Sequence, residues 1–377
     1  MSGRSRPRVL ILCEPPAGGS AHNAAELAIR LPDRGFETEY AGPERTRRHG
    51  DLVRAGVRVH RLALEPGYGR PRHDLLALRS LLALVRRGGF HLVHCHSAKA
   101  GVLGRIAARA RGVPAVYSPH CFPFVGDFSR RRITAARFVE RALAPLTAAY
   151  VCVSEQERRL AISLRVGSAE RLHVVHNGVE PCSGATDPEL AALGAGGPLV
   201  GAIAELRPQK RLDLLVEAAP RVLERVPEAR VAIVGNGPLR DELHAQAREL
   251  GLDGHQRFAM LPFEPPASRY LTALDLYVLP SAWESLPIGA LEALACGVPQ
   301  IATDVGGTGE AVVPSTGVLV PPRDADALSA AIVELLADPS RRASMAEASR
   351  ARHAELFGVE RMVDETAAVY RRALGAA

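Results

Sequence analysis

Residues 280–299 read PSAWESLPIGALEALACGVP, and they follow the apolar run Leu276–Leu279. The run, extended to Pro280, predicts a short buried strand. Ser285 is a candidate N-cap for the helix behind it, Pro287 falls within the first turn, and Gly297 is a typical C-terminal stop. The stretch therefore predicts a parallel strand followed by a short, well-bounded helix.

The same alternation of short apolar runs and longer helical patterns fills the chain on both sides. The other runs typical of strands are Val9–Cys13, Val57–Leu62, Leu92–His94, Ala115–Ser118, Tyr150–Ser154, His173–His176, Leu199–Ala204, Val231–Gly235, Gln300–Thr303 and Gly317–Val320. Strands alternating with helices indicate parallel sheets. At 377 residues the chain suits two cores, so we expect an α/β fold of two facing, doubly wound, Rossmann-like domains with a cleft between them.

The domain boundaries follow from a change in composition. Residues 181–198 are rich in Gly, Pro, Ser and Ala without an apolar period, and they are predicted to form a linker. The N-terminal domain is then 1–180 and the C-terminal domain 199–355. Residues 356–377 are predicted to form a last helix, for which packing back on the N-terminal domain is one alternative.

Composition excludes several classes of protein. Apolar residues make up 47% of the chain and charged residues 23%, and no run approaches the ~20 apolar residues of a membrane helix. The apolar run Val9–Cys13 is too short for a signal-peptide core. Six scattered cysteines form no C-x-x-C pair, which is typical of a reducing cytoplasm. We therefore expect a cytoplasmic protein.

Net charge is +6, which admits anionic partners such as nucleotides. Among 47 basic residues only Lys99 and Lys210 are lysine, so each lysine departs from a chain-wide preference for arginine.

Two carboxylates lie eight residues apart in the opening stretch. Glu284 precedes the predicted helix and Glu292 lies about 10 Å further along its axis. A carboxylate accepts hydrogen bonds from a vicinal diol, so Glu292 suits a ribose and Glu284 suits sugar hydroxyls. The amides of Ile288 and Gly289, at the start of the helix, suit a diphosphate. The alternative is one glutamate that stabilises the helix dipole and a second that is merely solvated.

Further candidates follow other predicted strands at the same edge of each sheet. Arg207 and Lys210 are able to reach one anion, or Lys210 is a surface cation. Gly19, in a glycine pair after the first strand, allows close approach to phosphate. His120 is able to donate to a sugar hydroxyl or to stabilise developing charge.

The pair His94 and His96 suggests a metal site, but no second cluster of ligands is near in sequence. No metal is assigned, and the alternative for His120 is a structural loop histidine.

These motifs resemble the retaining family 4 glycosyltransferases of the GT-B fold. Glu284 to Glu292 matches their E-x7-E motif, and the surrounding residues 279–307 resemble the family throughout. Lys210 is in register with the lysine of the R-x-x-x-x-K phosphate motif, whereas Glu205 occupies the usual arginine position and leaves that role to Arg207. Cys121 replaces the glycine that often follows the active-site histidine.

The resemblance implies transfer of a sugar from a nucleotide diphosphate-sugar, with UDP-hexose or UDP-N-acetylhexosamine as the expected donor. The acceptor would be a glycan, a lipid-linked molecule or a specialised metabolite, as in bacterial envelope-polysaccharide and natural-product enzymes. No cofactor or metal is implied. His120 and Glu284 would be catalytic. The donor would be bound by Gly19, Arg207, Lys210, Asn236, Ser285, Leu286, Ile288, Gly289 and Glu292.

Two other functions stay open from the sequence. A nucleotide-sugar 2-epimerase shares this architecture but forms no glycosidic bond. A nucleic-acid-binding protein is supported only by the sequence pI near 9.2, and aromatic residues are 5% of the chain, so no nucleic-acid partner is expected.

A basic helical patch lies within 128–147, with arginines at 130, 131, 132, 137 and 141. A solvated helix face is one explanation. Peripheral contact with an anionic membrane, at the inner membrane face, is the other.

Overall fold

The protein is described by a computed structural model that covers residues 6–44, 46–64, 67 and 70–375. The chain divides into two compact units. The first consists of Met1–Gly178 with Val359–Ala377, and the second is Val179–Gly358.

The first unit alternates strands and helices from its first described residues. Its strands are β1 (Arg8–Cys13), β2 (Glu37–Pro43), β3 (Arg58–Leu62), β4 (Leu92–His96), β5 (Ala115–Ser118), β6 (Ala149–Cys152) and β7 (Leu172–Val174). Its helices are α1 (Gly19–Arg30), α2 (His49–Arg54), α3 (Pro71–Gly88), α4 (Ala98–Arg109), α5 (Arg130–Leu143), α6 (Glu155–Ser163) and, from the end of the chain, α15 (Val359–Gly375).

The second unit repeats this plan. Its strands are β8 (Leu199–Ile203), β9 (Arg230–Val234), β10 (Phe258–Leu261), β11 (Leu276–Leu279), β12 (Gln300–Thr303) and β13 (Gly317–Val320). Its helices are α7 (Pro188–Gly194), α8 (Leu212–Arg225), α9 (Arg240–Glu249), α10 (Ser268–Leu271), α11 (Ile288–Cys296), α12 (Thr308–Ala311), α13 (Ala325–Leu336) and α14 (Pro339–Leu356).

Each unit is built on one parallel, doubly wound sheet. The strand orders are β3-β2-β1-β4-β5-β6-β7 and β10-β9-β8-β11-β12-β13. β8 is fully buried and β1 is buried apart from Arg8, which is typical of parallel strands whose sheet has helices on both faces. The order reverses between β1 and β4 and between β8 and β11, so each sheet has a switch point where neighbouring loops diverge. The predicted α/β class with two Rossmann-like units is confirmed.

Two strands were missed by the sequence analysis. β2 contains Glu39, which is buried and whose carboxylate binds Arg8 and His60. A charged residue inside a strand breaks the apolar run on which the prediction depends. The other, β10, is a four-residue strand at the sheet edge whose residues are half-buried.

The domain boundaries also differ in detail from those expected. Residues 181–198, predicted to be a linker, lie within the second unit and contain α7, which Asp187 caps through the amides of Glu189 and Leu190. Helix α15 packs in the core of the first unit, where Tyr370 is fully buried. Residues 1–5 and 376–377 of the predicted domains lie outside the described residues. No helix in the described part of the chain has both the length and the apolar content needed to cross a bilayer.

A disulfide bond joins Cys182 to Cys296 within the second unit. The scattered cysteines, taken as typical of a reducing cytoplasm, had not indicated this pairing. Cys296 is the last residue of α11, and the bond ties that end of the helix to the segment that opens the unit. Cys13, Cys95 and Cys152 are buried free thiols.

Removal of this bond is expected to destabilise the second unit. The bond closes a loop with a sequence separation of 114, and restricting so long a loop in the unfolded chain is worth about 2–4 kcal/mol. Cys182→Ser with Cys296→Ser should therefore lower the free energy of unfolding by that amount in urea titrations. Reducing agent should have the same effect on the wild type and none on the double variant. Peptide mapping without reductant that found both thiols free would contradict the assignment.

Candidate functional site

The switch point of the second sheet brings two loops together. β8 and β11 are neighbours, so the segments that leave their carboxyl ends, 204–211 and 280–287, start side by side. Ligands of open parallel sheets bind at this edge. Most of the predicted donor-binding residues are on these two segments or on α11, which follows the second of them.

Three hydrogen bonds tie the two loops. Gln209 donates its side-chain amide to the carbonyl of Trp283 at 2.8 Å, and the Gln209 carbonyl accepts from the amide of Ala282 at 2.8 Å. Lys210 donates from Nζ to Oε1 of Glu284 at 2.5 Å. The loops are therefore held as one surface. Gln209, which the sequence analysis did not select, is part of that connection.

Glu284 is buried, with 7% of its surface exposed. Its Oε1 accepts from Lys210 and from the hydroxyl of Ser281 at 2.7 Å, while Oε2 has no partner among the described residues. Gly306 packs against its backbone at φ +53°, and a Cβ there would lie 1.7 Å from the Glu284 carbonyl oxygen. The glutamate is thus fixed in place with one oxygen available to a ligand.

Arg207 is placed differently from Lys210. Its guanidinium pairs with Glu205 at 2.6 Å, and its side chain is 55% exposed, against 22% for Lys210. The glutamate at the family's arginine position therefore holds the neighbouring arginine. Of the two predicted phosphate ligands, Lys210 is the one held against the second loop.

Helix α11 starts later than the sequence predicted. Pro287 is at the N-cap position, and its carbonyl accepts from the amides of Ala290 and Leu291. The prediction that Ser285 is the N-cap is therefore wrong. Pro287 takes that position, and its ring fixes φ at a value compatible with the start of the helix. The amides of Ile288 and Gly289 have no acceptor among the described residues.

Gly289 is required by packing. A Cβ at this position would lie 2.5 Å from the hydroxyl oxygen of Tyr277, which donates to the carbonyl of Ile203. The absent side chain lets the first turn of α11 approach the sheet. Ser285 is half-buried, and the side chain of Leu286 is buried, so that side chain is not exposed to a ligand.

Glu292 lies in the second turn of α11 and is half-buried. Burial raises the pKa of its carboxyl from 4.5 to about 7. No described residue donates a hydrogen bond to its carboxylate, so no protein donor offsets the effect of burial on its pKa.

Asn236 stabilises the loop beside the first segment. Its side-chain amide donates to the carbonyl of Phe263 at 2.7 Å, and its backbone carbonyl accepts from Leu206 at 2.9 Å. This bond uses one of the two side-chain N–H groups of Asn236, so the second N–H and the side-chain oxygen remain for a ligand.

Gly19 and His120 lie in the first unit. Gly19 begins α1 behind Gly18, and it is Gly18 that has the left-handed backbone, with φ +86°. The Gly19 amide, like the other first-turn amides, has no acceptor within the helix.

His120 follows β5 in a strained turn. Its φ is +53° and that of Cys121 is +108°, a region that favours glycine. The buried carboxylate of Glu157 holds the turn by accepting from the amides of Cys121 and Val153, each at 2.9 Å. Glu157 was missed by the sequence analysis, since a glutamate on a helix looks solvated until its buried amide partners are seen.

Three histidines are grouped at the ends of β4 and β5. His96 Nδ1 is 2.8 Å from His120 Nε2, and the rings of His94 and His96 are 4.1 Å apart. Burial lowers the pKa of His120 to about 3 and lowers those of His94 and His96 well below their ordinary value. The imidazoles are therefore neutral at pH 7. Within the described ranges, no group of three or more His, Cys, Asp or Glu is arranged to hold a metal ion.

The raised pKa of Glu292 predicts that stability depends on pH. The folded protein binds this proton more tightly than the unfolded chain does, so the stabilisation is complete below pH 4.5 and is lost as the pH rises through 7. Between pH 5 and 8 the free energy of unfolding should fall by up to roughly 3 kcal/mol through this group. The measurement is urea denaturation of the wild type and Glu292→Gln. An identical pH dependence in both proteins would show that Glu292 titrates normally.

Two family models match most of the chain. The glycosyl transferase 4-like domain matches residues 18–178, and glycosyl transferases group 1 matches residues 189–352. The chain is 31% identical over 392 residues to the D-inositol 3-phosphate glycosyltransferase of Kribbella flavida, a match that covers 95% of this chain and 91% of that protein.

Other similarities support the same assignment. The chain is 29% identical over 276 residues to the UDP-Gal:alpha-D-GlcNAc-diphosphoundecaprenol alpha-1,3-galactosyltransferase of Escherichia coli, with 70% of this chain and 71% of that protein covered. Its structure matches that of Anabaena HepE in complex with UDP and glucose with a TM-score of 0.83 at 23% identity, over 97% of this chain and 99% of the other. The chain therefore belongs to the family 4 glycosyltransferases and has their GT-B fold.

Proposed function

We propose that this glycosyltransferase transfers a sugar from a UDP-sugar, a UDP-hexose or UDP-N-acetylhexosamine, with retention of the anomeric configuration and without a metal. The observation that carries the proposal is the arrangement around the start of α11. Glu284 is fixed by Lys210 beside two unpaired helix amides, and Glu292 follows in the next turn.

The second unit binds the nucleotide in this proposal. The amides of Ile288 and Gly289 and the ammonium of Lys210 donate hydrogen bonds to the diphosphate, since a helix N-terminus and a cation both favour negative charge. They stabilise the leaving diphosphate as its charge develops, which is the role a metal has in other enzymes. The carboxylate of Glu292 accepts hydrogen bonds from the ribose hydroxyls, and these bonds favour the ionised form of Glu292.

UDP as the nucleotide of the donor is supported by the similar proteins named above. The structure of HepE contains UDP and glucose, and the relative from E. coli is named for UDP-Gal. The acceptors in the relatives' names differ, one being an inositol phosphate and the other a lipid diphosphate. We propose a glycan, lipid-linked or small-molecule acceptor for this chain.

For the proposed retaining transfer, the state of Glu284 supports a front-face reaction over one with a covalent glycosyl-enzyme intermediate. Its Oε1 accepts two hydrogen bonds, one from a cation, and a carboxylate held in this way is a weak nucleophile. A front-face reaction needs no nucleophile from the protein. The bond from the anomeric carbon to the phosphate oxygen breaks, the acceptor oxygen bonds to the same face, and the acceptor proton goes to the leaving phosphate. Glu284 and His120 orient the sugar.

The 2-epimerase alternative is less well supported. Both matching family models and both named relatives are transferases. Analysis of the products formed without an acceptor distinguishes the two reactions, because only the epimerase converts the donor alone into another nucleotide-sugar.

We also propose a cytoplasmic location with peripheral contact to an anionic membrane through α5. Arg130, Arg131 and Arg141 are exposed on this helix, and Phe138 is 71% exposed. Its one carboxylate, Glu140, is buried and bound to Arg105 at 2.9 Å. The exposed face therefore combines cations and an aromatic ring without a negative charge, as interfacial helices do.

The donor site predicts the effect of two substitutions. Lys210→Ala and Glu292→Ala should each lower kcat/KM for transfer by about 100-fold or more, because each removes a group that binds the donor or its leaving diphosphate. Arg248→Ala and Glu249→Ala, on the exposed surface of α9, are matched controls with wild-type rates. Circular dichroism confirms folding. Wild-type rates in the two site variants would refute the assignment.

The membrane contact predicts co-sedimentation with vesicles that contain anionic lipid. Phe138→Ser combined with Arg130→Glu should abolish it, whereas Leu250→Ser, which alters an exposed leucine of the second unit, should not. Absence of wild-type binding at low salt would contradict the proposal.

A further inference from the structure

His96 is the last residue of β4 and is fully buried. Its ring lies against that of His120, with centroids 5.1 Å apart and planes 21° apart. The Nδ1 atom of His96 and the Nε2 atom of His120 are 2.8 Å apart, which is a hydrogen bond between two neutral imidazoles. One of the two nitrogens must carry the proton and the other must accept it.

The other nitrogen of His96 decides which ring donates. His96 Nε2 is buried and has no hydrogen-bond partner among the described residues. If His120 donated, the proton of His96 would be on Nε2, and the structure would contain a buried N–H group without an acceptor. If His96 donates, its Nε2 carries no proton and is a buried acceptor without a donor. Orphaned buried N–H groups are rarer in folded proteins than under-satisfied acceptors, because the lost hydrogen bond of a donor is costly.

The neighbouring histidine offers no alternative partner. His94 uses both ring nitrogens, with Nδ1 2.6 Å from the hydroxyl of Tyr370 and Nε2 2.8 Å from the hydroxyl of Ser118. Its ring is therefore fixed beside His96 without bonding to it. The backbone of His120 is fixed independently, since Glu157 holds the adjacent Cys121 amide.

We infer that His96 is a positioning residue that donates its Nδ1–H to His120 Nε2 and so fixes the proton of His120 on Nδ1. The Nδ1 atom of His120 has no hydrogen-bond partner among the described residues and is not fully buried, so it is open to a ligand. His120 then presents an N–H group to the substrate and is a hydrogen-bond donor, not a base. The inference rests on the proposed function only where it assigns that N–H to a sugar hydroxyl.

The proton assignment has a consequence for the reaction. With Nε2 occupied and Nδ1 already protonated, neutral His120 has no free lone pair to take the acceptor's proton. That proton must go elsewhere, and in the proposed front-face reaction it goes to the leaving phosphate oxygen. His120 instead stabilises the oxygen to which it donates, and it does so best when its ring cannot rotate.

The direct test is NMR of the full chain labelled with ¹⁵N in its histidine rings. Spectra of His120→Asn and His96→Asn assign the two residues by subtraction. The expected result is a protonated Nδ1 and an unprotonated Nε2 in both rings. A protonated Nε2 on His120 would overturn the inference. The spectra require no turnover, so a protein inactive on every donor would reject the proposed function and leave this result intact.

Kinetics provide a second readout. His96→Leu should lower kcat by about 10- to 100-fold and leave KM for the donor unchanged, because the residue does not touch the donor. His96→Asn keeps an amide donor near the position of Nδ1 and should retain kcat within about 3-fold. Equal loss in both variants, each shown to be folded by circular dichroism, would mean that His96 only fills space and would overturn its positioning role.

Discussion

The ion pair between Lys210 and Glu284 is the interaction on which the second unit's site depends. It joins the loops that leave β8 and β11, two neighbouring strands that are far apart in sequence. Glu284 is buried, so loss of its cation would leave an uncompensated charge at a cost of about 3–5 kcal/mol. The pair therefore fixes both a glutamate and the approach to α11, whose first amides remain unpaired.

Close backbone packing supports this pair. Gly289 admits Tyr277 against the first turn of α11, and Gly306 admits the Glu284 carbonyl. A side chain at Gly289 would clash with the hydroxyl of Tyr277, and one at Gly306 would clash with the backbone of the loop that contains Glu284. In the first unit, a buried carboxylate has the corresponding role, since Glu157 stabilises the left-handed turn at His120 and Cys121. In each unit, a candidate site residue is therefore held in place by contacts to the backbone beside it.

The sequence was sufficient to predict the fold class and to predict which residues lie at the carboxyl edge of each sheet, because strand ends and helix starts have local signals. It did not reveal that Glu205 holds Arg207, that Gln209 bridges the loops, or that Cys182 pairs with Cys296. Each of these depends on partners brought together only by the sheet order. The N-cap was misplaced for a local reason, as Ser285 is a good cap by type but Pro287 already starts the helix.

The central claim is that α11 and Lys210 bind a uridine diphosphate without metal. Titration calorimetry of UDP, GDP and NAD in the presence of a chelator, with wild type and Glu292→Ala, tests it most directly. The account predicts that UDP binds most tightly to the wild type and that Glu292→Ala loses this affinity. Absence of UDP binding, or equal binding by the variant, would contradict it.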